Sequence, residues 1–238
     1  MKKDLLLEIG CENIPSGYLD GALGQIRELF EKGLDSERVP FENVRVMGTP
    51  NRLVVLGSGL AVKQDSREEH IVGPPVKVAL TKEGKYTKMA AGFAKAQGVP
   101  VGSLSKVETE KGEYLAVVRR IRGRSTSSIL KERIPAWVQE VRFPKLMRWD
   151  GSGLRFARPV RWILCLFGDA VLKFRLGALT AGRSTRLSCY YDISVPVRSI
   201  DMYLSLMKRN RIILDQAQRR EAVRRLARGA AEKLGGTL

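Results

Sequence analysis

Residues 142–168, RFPKLMRWDGSGLRFARPVRWILCLFG, constrain the fold most, because a basic loop studded with rings runs straight into the most strand-like run of the chain. Residues 160–167 are apolar except for Arg161, and a run of that length containing Trp and Ile suits a strand buried on both faces. Such a strand needs neighbours in a sheet and cover on each side. In the preceding loop Lys145, Arg148, Arg155 and Arg158 alternate with Phe143, Trp149 and Phe156, and Gly151, Ser152 and Gly153 permit a tight turn. Cations interleaved with planar rings can hold RNA twice over, phosphates on the charges and an unstacked base on a ring face. Phe and Trp beside a core strand are also ordinary core residues, in which case the cations simply solvate the rim.

Short runs predict the rest of an α+β fold of antiparallel hairpins and sheets covered by helices, in two subdomains. Residues 4–9 read as a first strand. A helix follows, with Ser16 as its N-cap, Leu19, Ala22, Leu23, Ile26, Leu29 and Phe30 on one face and Gly33 as its stop. Residues 43–47 and 52–56 form a hairpin across Gly48-Thr49-Pro50-Asn51, and residues 64–75 read as an exposed connection. Residues 87–97 suit a small helix packed through Met89, Ala90, Phe93 and Ala94 or Ala96. Residues 105–109 and 113–121 form a second hairpin with Tyr114, Ala116 and Val118 on one face. Ser125 or Thr126 caps a helix striped by Leu130, Ile134, Trp137, Val138 and Val141. Beyond the central strand, Gly168-Asp169 turns the chain into an antiparallel neighbour. Residues 200–208 read as a short helix and 211–214 as a short strand. Asp215 then caps a long helix with Val223, Leu226, Ala227, Ala230, Ala231 and Leu234 as one stripe and Arg220, Arg224 and Arg228 as another.

Charge narrows the function. Lys and Arg number 42 against 25 acids, a net charge of +17, which calls for a polyanionic partner. Residues 1–141 hold 22 basic and 18 acidic residues, whereas residues 142–238 hold 20 and 7, so a near-balanced α+β region, 1–141, precedes a basic one, 142–238. Within the second, Arg183 and Arg186 sit in the loop TAGRSTR, where a glycine among Thr, Ser and Arg can present amide hydrogens to a phosphate. Arg220, Arg224 and Arg228 repel one another by a few tenths of a kcal/mol per pair unless an anion or an acid offsets them. Arg119, Arg120, Arg122 and Arg124 around Gly123 are more simply a solvated strand end.

Chemistry of other kinds finds no support. The chain lacks GxxxxGK[ST], a strand-linked GxGxxG and a GxSxG elbow, and its one histidine, His70, lies beside two glutamates with no acid-base partner in view. Cys11, Cys165 and Cys189 are widely spaced and form no CxxC pair, so they read as reduced core residues and no metal site is expected. The start, MKKDLLLEIG, carries Asp4 and Glu8 in too short an apolar stretch for an export signal, and no run reaches the roughly 20 apolar residues of a membrane span. A cytoplasmic protein with no membrane partner is expected. Adsorption to an anionic membrane is disfavoured because the last helix backs its arginines mostly with alanine.

LLLEIGCENIPSGYL, TPNRLVV, KGEYLAVV, FPKLMRW, FARPVRWILCLFGD and YYDISVPVRSIDMYLSLM, in that order from about Leu5 to Gly236, resemble the N-terminal part of the beta subunit of bacterial heterotetrameric glycyl-tRNA synthetase. That resemblance implies an accessory role in glycine–tRNA ligation. The alpha subunit of the family activates glycine with ATP and Mg, no cofactor falls to this chain, and the beta subunit recognises tRNA(Gly). Where the family shows Thr-x-Gly-His-Arg, this chain has Thr180-Ala181-Gly182-Arg183-Ser184, which lacks the histidine. The family's subunit continues through further domains, including an anticodon-binding one, so the resemblance implies an N-terminal fragment, inactive alone. Candidate tRNA contacts are Lys145, Arg148, Trp149, Arg155, Arg158, Arg183, Arg186, Arg220, Arg224 and Arg228, with no catalytic residue and no metal ligand. The alternative from another class is a stand-alone RNA-binding or RNA-modification module.

Overall fold

The computed structural model describes residues 1–81, 83–188 and 193–237. The first hairpin region comprises β1 (Lys2–Cys11), α1 (Ser16–Ser36), β2 (Asn43–Thr49) and β3 (Arg52–Ala61). Next come β4 (Arg67–Pro75), α2 (Val76–Ala79), α3 (Lys88–Ala96), β5 (Ser105–Thr109), β6 (Gly112–Ile121) and α4 (Thr126–Glu140). The remainder holds β7 (Val160–Phe167), β8 (Ala170–Val171), β9 (Arg175–Leu176), β10 (Leu179–Thr180), β11 (Ser184–Arg186), β12 (Ser194–Pro196), α5 (Ile200–Arg209) and α6 (Gln216–Lys233). The fold is α+β with antiparallel sheets. It divides into two compact units, Met1–Gln64 with Arg124–Leu238, and Asp65–Gly123. The charge step at residue 141 falls inside the first of these units, just past α4.

The larger unit is built on a five-stranded sheet ordered β2-β3-β1-β7-β8. β1 sits in the middle because Leu5 to Cys11 is apolar enough to be buried on both faces, and Leu6 stands between Leu56 of β3 and Leu166 of β7. Period-two alternation sorts the side chains. Leu5, Leu7 and Ile9, with Ile163, Cys165 and Phe167, face α1 and α4, where Phe30 and Trp137 meet edge to face at 4.9 Å. Leu6, Leu164 and Leu166 face the other way, onto Tyr203 and Met207 of α5. Val160–Phe167 is therefore the inner strand its composition predicts, with Trp162 and Leu164 buried.

Two glycines fix these layers. A Cβ on Gly10 would fall within 1.9 Å of the Trp162 ring, and one on Gly33 within 2.3 Å of the Trp137 ring. Gly33 is thus a packing residue inside α1 and not its stop, and the helix runs on to Ser36. The expected strand at 211–214 does not form: Arg211 takes a left-handed φ of 57°, and a single bond from the Gly48 amide to the Leu214 carbonyl replaces a ladder. Cys11 and Cys165 are buried, and desolvation pushes the Cys165 thiol well above its ordinary pKa. Cys189 lies outside the described residues.

The smaller unit is a three-stranded sheet, β4-β6-β5, closed by α2 and α3. Residues 67–75, expected as a connection, are a strand paired to β6, in which Arg119 and Arg120 stand opposite Glu69 and Glu68. Leu115 and Val117 pack onto Ala79, Ala90 and Ala94, and of the face bearing Tyr114, Ala116 and Val118 only Ala116 is buried. Met89 and His70 are exposed.

Candidate nucleic-acid interface

The central basic stretch is a small hairpin leaning on the core. Met147 and Phe156 exchange two backbone bonds of 2.8 and 3.2 Å, and the turn between them is held by Asp150, whose Oδ1 accepts from the Ser152 amide and hydroxyl. Those bonds hold the Asp150 carboxyl below the usual carboxylate range. Gly153 supplies the positive φ of 79° that the turn requires. Phe143 and Phe156 stack edge to face at 4.8 Å inside the core, so Phe156 is fully buried and cannot receive a base. Trp149 is only half-buried. Lys145, Arg148 and Arg155 are exposed, and Arg158 is half-buried with Nη1 donating to the Ala157 carbonyl at 3.0 Å.

The loop TAGRSTR is less open than its composition suggests. The Gly182 amide donates to the Ile163 carbonyl at 2.9 Å and the Gly182 carbonyl accepts from Cys165 at 3.0 Å, which fastens the loop along β7. The amide expected to face a phosphate is already used by the sheet. Arg183 remains exposed, and Arg186 lays its guanidinium 5.6 Å from the centre of the Trp162 ring.

Beneath that ring lies a buried polar cluster that the sequence reading did not identify. Arg52 Nη1 meets Glu8 Oε1 at 2.9 Å, Arg52 Nη2 donates to the Arg186 carbonyl at 2.9 Å, and Tyr203 Oη donates to Glu8 Oε1 at 3.2 Å. Burial raises the Glu8 pKa, with the Arg52 charge opposing it. Removing one partner of a buried pair typically costs ~3–5 kcal/mol, because the survivor stays uncompensated. The cluster ties α5 and β11 to the sheet and so positions Arg186. Its one sequence signal was an acid inside the apolar run LLLEIG; Arg52, 44 residues away, carries none.

Arg220, Arg224 and Arg228 are exposed along α6, whose residues are all outside the core. Asp215 caps the helix by accepting from Gln218 at 3.0 Å, and Arg219 anchors its first turn to the carbonyls of Gly48 and Ile213. Arg220 approaches Asp20 at 3.9 Å; among the described residues Arg224 and Arg228 form no ion pair. Of the candidate contacts, Trp149 of the 142–158 hairpin and Arg186 of the 183–186 loop line one cavity, whereas Arg220, Arg224 and Arg228 lie along α6. Among the described residues, no three His, Cys, Asp or Glu side chains converge as a metal site would require, and no helix is long and apolar enough to cross a membrane.

Residues 5–238 match the family model described as glycyl-tRNA synthetase beta subunit. A glycine–tRNA ligase beta subunit from Trichlorobacter lovleyi is 42% identical, over 100% of this chain and 35% of the relative. Those from Geobacter metallireducens and Clostridioides difficile are 40% and 37% identical, each over 99% of this chain and 34% of the relative. The chain spans about a third of the length of these curated relatives.

Proposed function

We propose a tRNA-binding, accessory role, from the premise that the chain belongs to the glycyl-tRNA synthetase beta subunit family. In this reading the chain holds tRNA(Gly) while an alpha subunit, with ATP and Mg, attaches glycine. The observation that carries it is the solvent-facing placement of Lys145, Arg148 and Arg155 around the half-buried Trp149, in a chain of net charge +17. A rim made only to solvate a core needs no such excess. Positive side chains free to reach phosphates release counterions on binding, which makes affinity steeply salt-dependent. Arg224 and Arg228 add a second stretch of cations whose mutual repulsion an RNA backbone would relieve.

The test is filter binding of tRNA(Gly) by the chain across a salt series, with Lys145, Arg148, Arg155 and Arg158 changed together to Gln. Gln keeps much of the aliphatic stem, so packing survives while charge is lost. Each lost phosphate contact lowers the slope of log K against log salt by about 0.7–0.9, so loss of all four should lower it by up to about 3.6. A quadruple variant that melts like the parent and binds with the same affinity and slope would overturn the assignment of this hairpin. Glycine-dependent pyrophosphate exchange by the chain without an alpha subunit would overturn the accessory role.

A further inference from the structure

Beside the basic hairpin lies a cavity of about 410 Å³ lined by Trp149, Asp150, Arg161, Leu179 and Arg186, with Val160 and Ala178 completing it. Its size falls in the ~300–1,000 Å³ range of small-molecule pockets. We propose that this cavity takes one unpaired, phosphate-bearing nucleotide of a bound RNA, with the base against Trp149 and the phosphate on Arg161. The proposal rests on the tRNA-binding reading and adds to it a single-nucleotide pocket.

The walls are built independently of any ligand. A Cβ on Gly177 would come within 2.8 Å of Ser152 Oγ and 3.1 Å of Leu154 Cβ, so the β9–β10 turn is packed closely against the 150–154 turn. Trp149 packs against the core and also lines the cavity. Base stacking on such a ring tolerates any base, because every base has a π face. Asp150 Oδ1 is engaged by Ser152, which fixes the carboxylate at the rim, where an acceptor suits a base amino group or a ribose hydroxyl. Arg161 is the one polar residue of β7. It points out of the sheet with its side chain 57% exposed, and its ion pair with Glu12 is 3.4 Å long and open to solvent. A pair of that kind contributes little and yields readily to a phosphate. Arg186, also lining the cavity, is held by the Trp162 ring and by the Arg52 bond to its carbonyl. A paired base has its faces covered by its neighbours in the stack, which is why the pocket selects an unpaired nucleotide.

The experiment reads intrinsic tryptophan fluorescence. Trp137 and Trp162 are 7% and 8% exposed, so Trp149 is the ring a ligand can reach. Titrating the full chain with a short single-stranded RNA should quench its emission, while a duplex of the same sequence and inorganic phosphate should not. Nucleoside monophosphates should quench only at much higher concentration, since they lack the flanking phosphate contacts. Trp149→Ala should weaken single-stranded RNA binding about tenfold or more, measured by filter binding. Arg161→Gln, on an exposed side chain that folding does not need, should lower the salt slope by about 0.7. Equal quenching by duplex or by free phosphate overturns the proposal, as does a monophosphate that binds as tightly as the RNA. Parent-like RNA binding by both variants overturns the pocket while leaving the tRNA reading intact. A parent chain that binds no RNA of any kind overturns both.

Discussion

Helices α1 and α6 begin with the same sequence logic and end in different surroundings. Both carry an apolar stripe at helical spacing, over 21 and 18 residues. α1 buries Leu19, Ala22, Leu23, Ile26, Phe30, Gly33 and Leu34, whereas α6 buries nothing, leaving Val223 59% and Leu226 71% exposed. The difference lies in what the stripes are made of. Leu, Ile and Phe on α1 bring enough apolar area to fill the space over β1 and β7, while the alanines of α6 remove little surface from water however they are placed. A helix without a packed face depends on its cap, its intrinsic propensity and its first-turn anchors. α6 has all three, in Asp215, its run of Ala and Arg, and Arg219. Periodicity therefore reports that a helix forms, and residue size reports whether it is core. What remains for α6 is a surface role, consistent with arginines that face solvent.

The largest test of this contrast is Phe30→Ala. Phe30 is 1% exposed and meets Trp137 edge to face, so truncation should cost about 3–5 kcal/mol of unfolding free energy, read by urea denaturation. A cost below about 1 kcal/mol would mean that α1 is no better packed than α6.

What was legible in the sequence follows the same division. Val160–Phe167 could be placed to the residue, because eight positions carry one polar side chain and no turn former. The cap at Asp215 was legible, and of the pair Ser125 and Thr126 it is Ser125 that caps, both caps bonding an amide three residues on. Ser16, by contrast, is already the first residue of α1, and that helix has no side-chain cap. Arg67–Pro75 was not legible, since an exposed edge strand tolerates the charges and prolines that mark a connection. Of the candidate site, the exposure of Lys145, Arg148 and Arg155 follows from their charge. The burial of Phe156 does not, because a ring alternating with arginines reads alike as a stacking platform or as core until its neighbour Phe143 is located. The cavity beside Trp149 joins residues 149–150, 160–161, 178–179 and 186, and no local pattern announces a wall assembled from four segments.

Asp215→Ala probes the local support of α6. The Asp215 carboxylate accepts from the Gln218 amide and lies 3.5 Å from Arg45 Nη2, so losing it should cost about 1 kcal/mol. Because α6 makes few contacts with the rest of its unit, the loss should appear as reduced helical circular dichroism before the main unfolding transition. A shift of the main transition with unchanged helicity beforehand would show α6 to be as firmly integrated as α1.

Leu226→Ala should have the smallest effect and is the sharpest test of an unpartnered stripe. Leu226 is the bulkiest apolar side chain near the middle of α6, and at 71% exposure it has little transfer free energy to lose. Alanine is the better helix former by a few tenths of a kcal/mol, so packing and propensity nearly cancel and the net change should stay within about 0.5 kcal/mol. The same truncation in α1, at Leu23, which is 5% exposed, should cost about 2–5 kcal/mol. Denaturation of both variants at two protein concentrations separates the remaining possibilities. A Leu226→Ala cost above about 1 kcal/mol that grows with concentration would mean that a second copy covers the stripe. A cost of that size independent of concentration would place α6 in the core of its own chain, and the contrast with α1 would fail.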